Sequence, residues 1–301
     1  MKPAAILVSL TIACMLPPRA AAQESPTLRK IQETGIITIG FSEGTIPFSY
    51  IDRKPQPIGY SIDICSRIVD AVKARLDMPY LQIKYTPVTS ANRLSVIAND
   101  IVDLACGTST NNAERQKKVA FTVTTFVASA SVVVKRRNDI RDVGGLAGKT
   151  VVTTAGSTSL ASLVALNRSR GLNLAIVAAR DHVASFAMLE ADRAAAFVMD
   201  DVLLHGFVAN ADTPSNYRIH HLGLSVEPYG VILRKNDPEF KKLADEAIVR
   251  MFRSGEMTQL YHKWFQSPIP PNNVNLGFPM SAAFKKLIAE PTDSPNPDDY
   301  R

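Results

Sequence analysis

Ten residues, Phe-Val-Ala-Ser-Ala-Ser-Val-Val-Val-Lys, run extended from Phe126 to Lys135 and stop in the polar Arg136-Arg137-Asn138-Asp139. A run of this kind reads as a crossing from one folded unit to another, because the same order of elements precedes and follows it. Before it come a strand over Ile36–Phe41, a helix opening after Gly59-Tyr60 and capped by Ser61, a strand over 81–85, a helix over 90–98 and a strand over 101–105. Ile64, Ile68, Val72 and Leu76 recur every fourth residue and give the first of these helices one buried face. After it come strands over 149–153, 175–178, 194–199 and 217–220, separated by helices over 160–166, 181–190 and 200–208. Two βαβαβ series with short connections predict two doubly wound α/β sheets. A second long run, residues 227–234, mirrors the first and carries the chain back. Helices over 237–254 and Glu256–Phe265 follow, split at Gly255, and then a Pro/Asn-rich tail whose polar last ten residues are expected to be disordered.

The most informative stretch for chemistry is Cys106-Gly107-Thr108-Ser109-Thr110-Asn111-Asn112-Ala113-Glu114-Arg115. A strand end, a row of short donors, a helix start and a guanidinium fall within these ten residues. Asn111 or Asn112 caps the helix and Arg115 lies one turn inside it. The free N–H groups, hydroxyls and Arg115 together would suit a small carboxylate. The same residues would also make an ordinary capped turn with a solvated arginine. Residues 156–159, Gly-Ser-Thr-Ser, repeat the theme at a second helix start.

The N-terminus reads as a targeting leader. Lys2 precedes an apolar run over 4–16, then Pro17-Pro18-Arg19 and Ala20-Ala21-Ala22, a secretory signal peptide cleaved after Ala22. The run is too short to span a membrane, and Thr11 makes a poor lipoprotein site of Cys14. Loss of Lys2 and Arg19 takes the net charge from +6 to +4, a modest scattered excess that does not call for nucleic acid. Cys65 and Cys106 remain, and in an oxidising compartment they either pair or stay as two buried thiols. The histidines show no metal-ligand spacing, and no Walker loop, G-x-G-x-x-G or G-x-S-x-G occurs. No metal, cofactor or catalytic residue is expected.

Several pieces fall in one order: Thr89-Ser90-Ala91-Asn92-Arg93, the run from Cys106 to Lys117, Asp181-His182, Met199-Asp200-Asp201 and Trp264-Phe265-Gln266-Ser267-Pro268-Ile269-Pro270-Pro271. In that order and spacing the chain resembles the periplasmic amino-acid-binding proteins of ABC importers (solute-binding protein family 3), glutamate/aspartate-binding branch. The resemblance covers nearly all of residues 25–292. It implies a two-lobed periplasmic-binding-protein (type II) fold with two hinge strands: leader 1–22, first lobe 23–131, second lobe 132–226, and return to the first lobe over 227–301. It implies a monomer that hands a small amino acid to a membrane permease in a transient contact. Arg115, Thr110 and Thr158 would hold the α-carboxylate, Thr108 and Asp200 the α-ammonium, and Ser90, Arg93 and His182 the side-chain carboxylate. Charge balance agrees, because a zwitterion is costly to bury unless each charge meets a counter-charge, and an acidic ligand needs a further basic group. Tyr229 is a further contact candidate, against a hinge or core role; Phe48 and Tyr50 stand between core and ligand platform.

One departure bears on the ligand. The branch carries an arginine where this chain has Ser42, which leaves open glutamate, aspartate or another polar amino acid. A periplasmic cyclohexadienyl dehydratase-like enzyme is the alternative on the same fold. It needs a general acid facing the ring, whereas Ser90, Arg93 and His182 suit an anion better.

Overall fold

The computed structural model describes residues 25–301. The leader over 1–22 and the Cys14 site lie outside the described residues. Among those described, no helix is long and apolar enough to cross a membrane.

Two five-stranded sheets organise the chain. In the first, Gln82–Pro87, Ile36–Phe41 and Leu104–Cys106 run parallel, in that spatial order, and Ile232–Leu233 joins antiparallel before Ala120–Phe121. In the second, Ala175–Ala179, Thr150–Thr154 and Ala196–Asp200 are parallel, and Phe126–Lys135 and Tyr217–Tyr229 complete the edge antiparallel. Each sheet is therefore doubly wound with an antiparallel margin, not purely parallel. The margin is where the crossings lie, because a strand that leaves one sheet and returns to it must run both ways.

The long run over Phe126–Lys135 spans the predicted residues, but the return differs. Residues 217–220 and 227–229 belong to one strand, Tyr217–Tyr229, whose register shifts between His221 and Val226. Its far end pairs Tyr229 with Phe126 and Glu227 with Ala128, so the two crossings form a ribbon. Aromatic rings fix the base of that ribbon to the first lobe. Phe126 stacks on Phe265 at 5.1 Å and on Tyr229 at 6.0 Å, and Phe48 meets both Phe126 and Tyr229 edge-on. Phe48 and Tyr50 are core residues, with the Tyr50 hydroxyl donating to the Pro270 carbonyl.

Two expectations fail locally. Ser61 does not cap its helix: Tyr60–Leu76 begins after Gly59, whose φ of 136° no side-chain-bearing residue adopts readily, and the Ser61 hydroxyl instead donates to the Gly107 carbonyl at 3.0 Å. The last ten residues are not disordered. Tyr300, at 2% exposure in the turn Pro297–Tyr300, anchors them against the return crossing, as Phe284 and Leu287 anchor the preceding helix Ala282–Ala289. Cys65 and Cys106 are disulfide-bonded, tying the helix Tyr60–Leu76 to the strand end that opens into residues 106–115.

Candidate functional site

In open α/β sheets, the carboxyl ends of the parallel strands are where side chains and free N–H groups converge. Here Phe41 leads to Ser42, Cys106 to Thr108, Thr154 to Gly156 and Met199 to Asp200, and the two sheets turn these ends toward each other. Gly156 shows how closely. Its φ is +76°, and a Cβ there would lie 2.6 Å from the Ser90 carbonyl oxygen and the Ala91 Cα of the facing lobe.

Asn112 caps the short helix Ala113–Gln116, accepting from the Arg115 N–H at 2.9 Å. That places Arg115 inward at 8% exposure. Its Nη1 donates to the Thr110 carbonyl at 2.9 Å and its Nη2 crosses to the Gly156 carbonyl at 3.2 Å. Arg93, equally buried, opens the helix Arg93–Ala98 and donates from Nη1 to the Thr108 carbonyl at 2.8 Å. Its Nε is buried with no partner. Burial and the Arg115 charge push the Arg93 guanidinium down to about 9. Burial also lowers Arg115, opposed by Glu227 and Asp200.

Two carboxylates answer these cations. Asp200 and Glu227 are each 2% exposed. Asp200 stands at the cap position of the helix Asp201–Ala209 but makes no cap bond; Asp201 accepts from the Val202 and Ser129 N–H groups instead. The Asp200 carboxylate is left to accept from the Tyr229 hydroxyl and, at 3.4 Å, from Ser159. Burial, reinforced by Glu227, raises Asp200 to about 8. Glu227 accepts from the Thr158 hydroxyl at 2.8 Å, and Thr158 lies 3.5 Å from the Thr110 hydroxyl across the cleft.

The opposite end is sparser. Asp181 caps the helix His182–Glu190 and leaves His182 buried, 2.8 Å from the Thr154 hydroxyl and 3.4 Å from the Ser90 hydroxyl of the other lobe. Burial and the nearby Arg93 depress the imidazole to about 4. The unliganded imidazole is thus biased toward its neutral form. Ser42, Ser90 and His182 line one cavity of about 250 Å³ with Gly44, Thr45 and Val183.

All ten candidates thus lie at facing strand ends, around the two guanidiniums and the cavity. Tyr229 belongs there chiefly through Asp200, which its hydroxyl holds. Sequence reasoning missed Glu227. No local signal marks it, because its partner Thr158 and its neighbour Asp200 are remote in sequence. It also missed Thr154, whose hydroxyl orients His182 and which looks like an ordinary strand residue, and it read Ser159 as a donor at a helix start without its contact to Asp200. Among the described residues, no three His, Cys, Asp or Glu side chains gather as a metal site.

The sequence profile of the bacterial extracellular solute-binding proteins, family 3, matches residues 37–267. The chain belongs to that family. Among the family 3 proteins similar to it, an L-glutamate/L-aspartate-binding protein from Pseudomonas aeruginosa is 45% identical, with 97% of both chains covered. A glutamate/aspartate import solute-binding protein from Escherichia coli K12 is 44% identical over the same shares. Solved structures share the architecture at lower identity. A cysteine-binding protein from Campylobacter jejuni has a TM-score of 0.71 at 22% identity, covering 82% of this chain and 98% of that one. An ancestral amino acid-binding protein described as a precursor of cyclohexadienyl dehydratase reaches 0.69 at 23% identity, covering 79% and 99%. These structural likenesses concern the two-lobed fold.

Proposed function

We propose that this family 3 protein captures an acidic amino acid, glutamate or aspartate, between its lobes and delivers it to a membrane ABC permease. One observation carries the reading: the buried guanidiniums Arg93 and Arg115 and the buried carboxylate Asp200 of the facing lobe meet around a small cleft, the two cations and one anion that a zwitterion with an extra acid requires. Arg115 takes the α-carboxylate with the Thr110 and Thr158 hydroxyls. Asp200 and Thr108 take the α-ammonium. Arg93, whose Nε lacks a partner, takes the side-chain acid together with Ser90 and His182. The names of the P. aeruginosa and E. coli relatives support the same ligand class.

Delivery implies that the second lobe, 132–226, swings on the two crossing strands to release what it holds. The protein then works as a periplasmic monomer that meets the permease transiently. It acts by binding and not by catalysis: an imidazole held near 4 is a weak candidate for a resting general acid at neutral pH. A thermal-shift screen of the twenty amino acids and small dicarboxylates tests this. Glutamate or aspartate should raise Tm by several degrees at saturation, and prephenate should yield no phenylpyruvate. A screen in which neither acid shifts Tm and another ligand does would end the proposal.

A further inference from the structure

The C-terminal segment beyond the helix Ala282–Ala289 does more than cover the core. Thr292 accepts from the Thr124 N–H through its carbonyl at 2.8 Å. The Tyr300 hydroxyl donates to the Ser294 carbonyl at 2.8 Å, which leaves its oxygen to accept from the Thr124 hydroxyl at 2.7 Å. Thr124 stands two residues before Phe126, where the outgoing crossing begins, and its neighbour Thr125 donates to the Tyr229 carbonyl at 2.7 Å. The turn Pro297–Tyr300 packs against the return crossing Tyr217–Tyr229.

A second contact reaches the arginine loop. Asn111, fully buried, donates from Nδ2 to the Asp293 carbonyl at 2.8 Å. Its N–H donates to the Pro228 carbonyl at 2.7 Å and its Oδ1 accepts from Gln116 at 2.9 Å. Every polar atom of that side chain is thereby committed, one partner each to the tail and the loop's own helix, while its backbone is committed to the return crossing. The neighbouring residue Thr110 bridges to Tyr229. The Asp293 carboxylate anchors the tail to Lys241 at 2.8 Å. One short segment thus grips the outgoing strand at Thr124 and the loop that carries Thr108, Thr110 and Arg115.

We propose that residues 290–301 are a strap that positions the arginine loop against the two crossing strands and so sets how tightly the cleft holds its ligand. Thr292, Asp293 and Tyr300 are positioning residues that touch no ligand themselves. The statement about affinity rests on the cleft being an amino-acid site; the statement about the loop does not. Losing the strap strands a buried Asn111 amide and a buried Thr124 N–H, each of which costs free energy when left unpaired. The loop then exchanges one ordered position for several, and the ligand must pay for reordering it.

The test uses the mature chain, a variant ending at Glu290, and Tyr300→Phe, which keeps the buried ring and removes only its hydroxyl. Amide hydrogen exchange of the unliganded proteins should speed up across residues 109–116 and 122–125 in both variants, most in the shortened one. L-Glutamate should leave the shortened protein about tenfold faster and Tyr300→Phe about threefold faster. If the shortened chain does not fold, Tyr300→Phe combined with Thr124→Val carries the same readouts. A lower Tm with unchanged loop exchange and unchanged dissociation would make the tail mere packing and overturn the proposal. If the intact protein binds neither acid, the ligand reading falls, and the exchange data alone decide whether the strap holds the loop.

Discussion

The two ends of the cleft are built differently. Around Arg115, Asp200 and Glu227 each polar group already has a protein partner: Thr110 and Gly156 for the guanidinium, Tyr229 and Ser159 for Asp200, Thr158 and Ser225 for Glu227. Around Arg93 and His182 there is an orphaned Nε, a long 3.4 Å contact between Ser90 and His182, and an adjoining cavity of about 250 Å³. A preorganised end suits what every α-amino acid has in common, because fixed dipoles need not reorganise when a charge arrives. A looser end suits the part of the ligand that varies, and selectivity there is set by few groups. Changes at the first end should therefore cost affinity for all amino acids alike, and changes at the second should reorder preferences.

The largest effect should come from Arg115→Ala. It leaves a buried carboxylate unpaired, at a cost of roughly 2–5 kcal/mol, or about 30- to several-thousand-fold in Kd. Arg115→Lys should recover part of that, since it restores charge without the fork that reaches both Thr110 and Gly156. Titration calorimetry with glutamate and with glutamine should show the same loss for both ligands. A loss confined to glutamate would break the comparison. Next in size is Gly156→Ala. The positive φ costs an alanine about 1–2 kcal/mol whether or not the lobes separate, and the new Cβ would lie 2.6 Å from the backbone of Ser90 and Ala91, a clash that separating the lobes would relieve. Affinity should fall at least about tenfold, while the Tm of the unliganded protein should fall only by the few degrees that the backbone strain accounts for. A larger drop in that Tm would mean that the resting protein is already shut.

How much of this was legible in the sequence depends on the range of the interaction involved. Ile36–Phe41 and Phe126–Lys135 were readable because their signal is local, a run of apolar β-formers. The Arg115 loop was readable because strand end, cap and cation lie within ten residues. Glu227 was not, since its meaning comes from Thr158 and Asp200, brought together by a crossing far away in sequence. Ser61 misled for a related reason: a serine beside a helix start usually caps it, but here Gly107 offered a carbonyl and Gly59 the backbone geometry. The last ten residues misled because their polar composition hides one anchor, Tyr300, that only the assembled fold can receive. The disulfide stayed undecided for want of any local signal. Its loop of 41 residues suggests that reduction would cost about 4 kcal/mol of stability in the chain-entropy picture.

Proton linkage offers an intermediate effect. Asp200 sits at about 8 in the unliganded protein against an ordinary 3.8. Its folded value is raised, so its contribution to stability is complete below about 4 and is lost as pH climbs toward 8. A ligand ammonium beside it favours the carboxylate and expels the proton. Glutamate affinity should then rise with pH between about 6 and 8, by at most about tenfold per pH unit. Glu227, Tyr229, Arg93 and Arg115 all face this carboxylate, and the cations limit how far it rises. His182 titrates near 4 and does not interfere in that window. Calorimetry at pH 7 in buffers of different ionisation enthalpy should count nearly one proton released, and Asp200→Asn should abolish the release. Binding without proton release would detach Asp200 from the ammonium.

The smallest effect is expected at Ser42, and it bears most directly on the difference between the two ends. Arg93 is the one guanidinium assigned to the ligand's side chain. The cavity beside Ser42 leaves room for another. Ser42→Arg should raise the preference for glutamate and aspartate over glutamine and asparagine by a few-fold, the modest return of a charge added at a partly solvated site. Part of the gain is offset because a second guanidinium beside Arg93 pushes both toward their neutral forms. The ranking of the four ligands by calorimetry is the readout, since absolute affinities also carry the cost of filling the cavity. An unchanged ranking would mean that Ser42 does not face the ligand. Selectivity would then rest on Arg93, Ser90 and His182 alone, and the second end would be as fixed as the first.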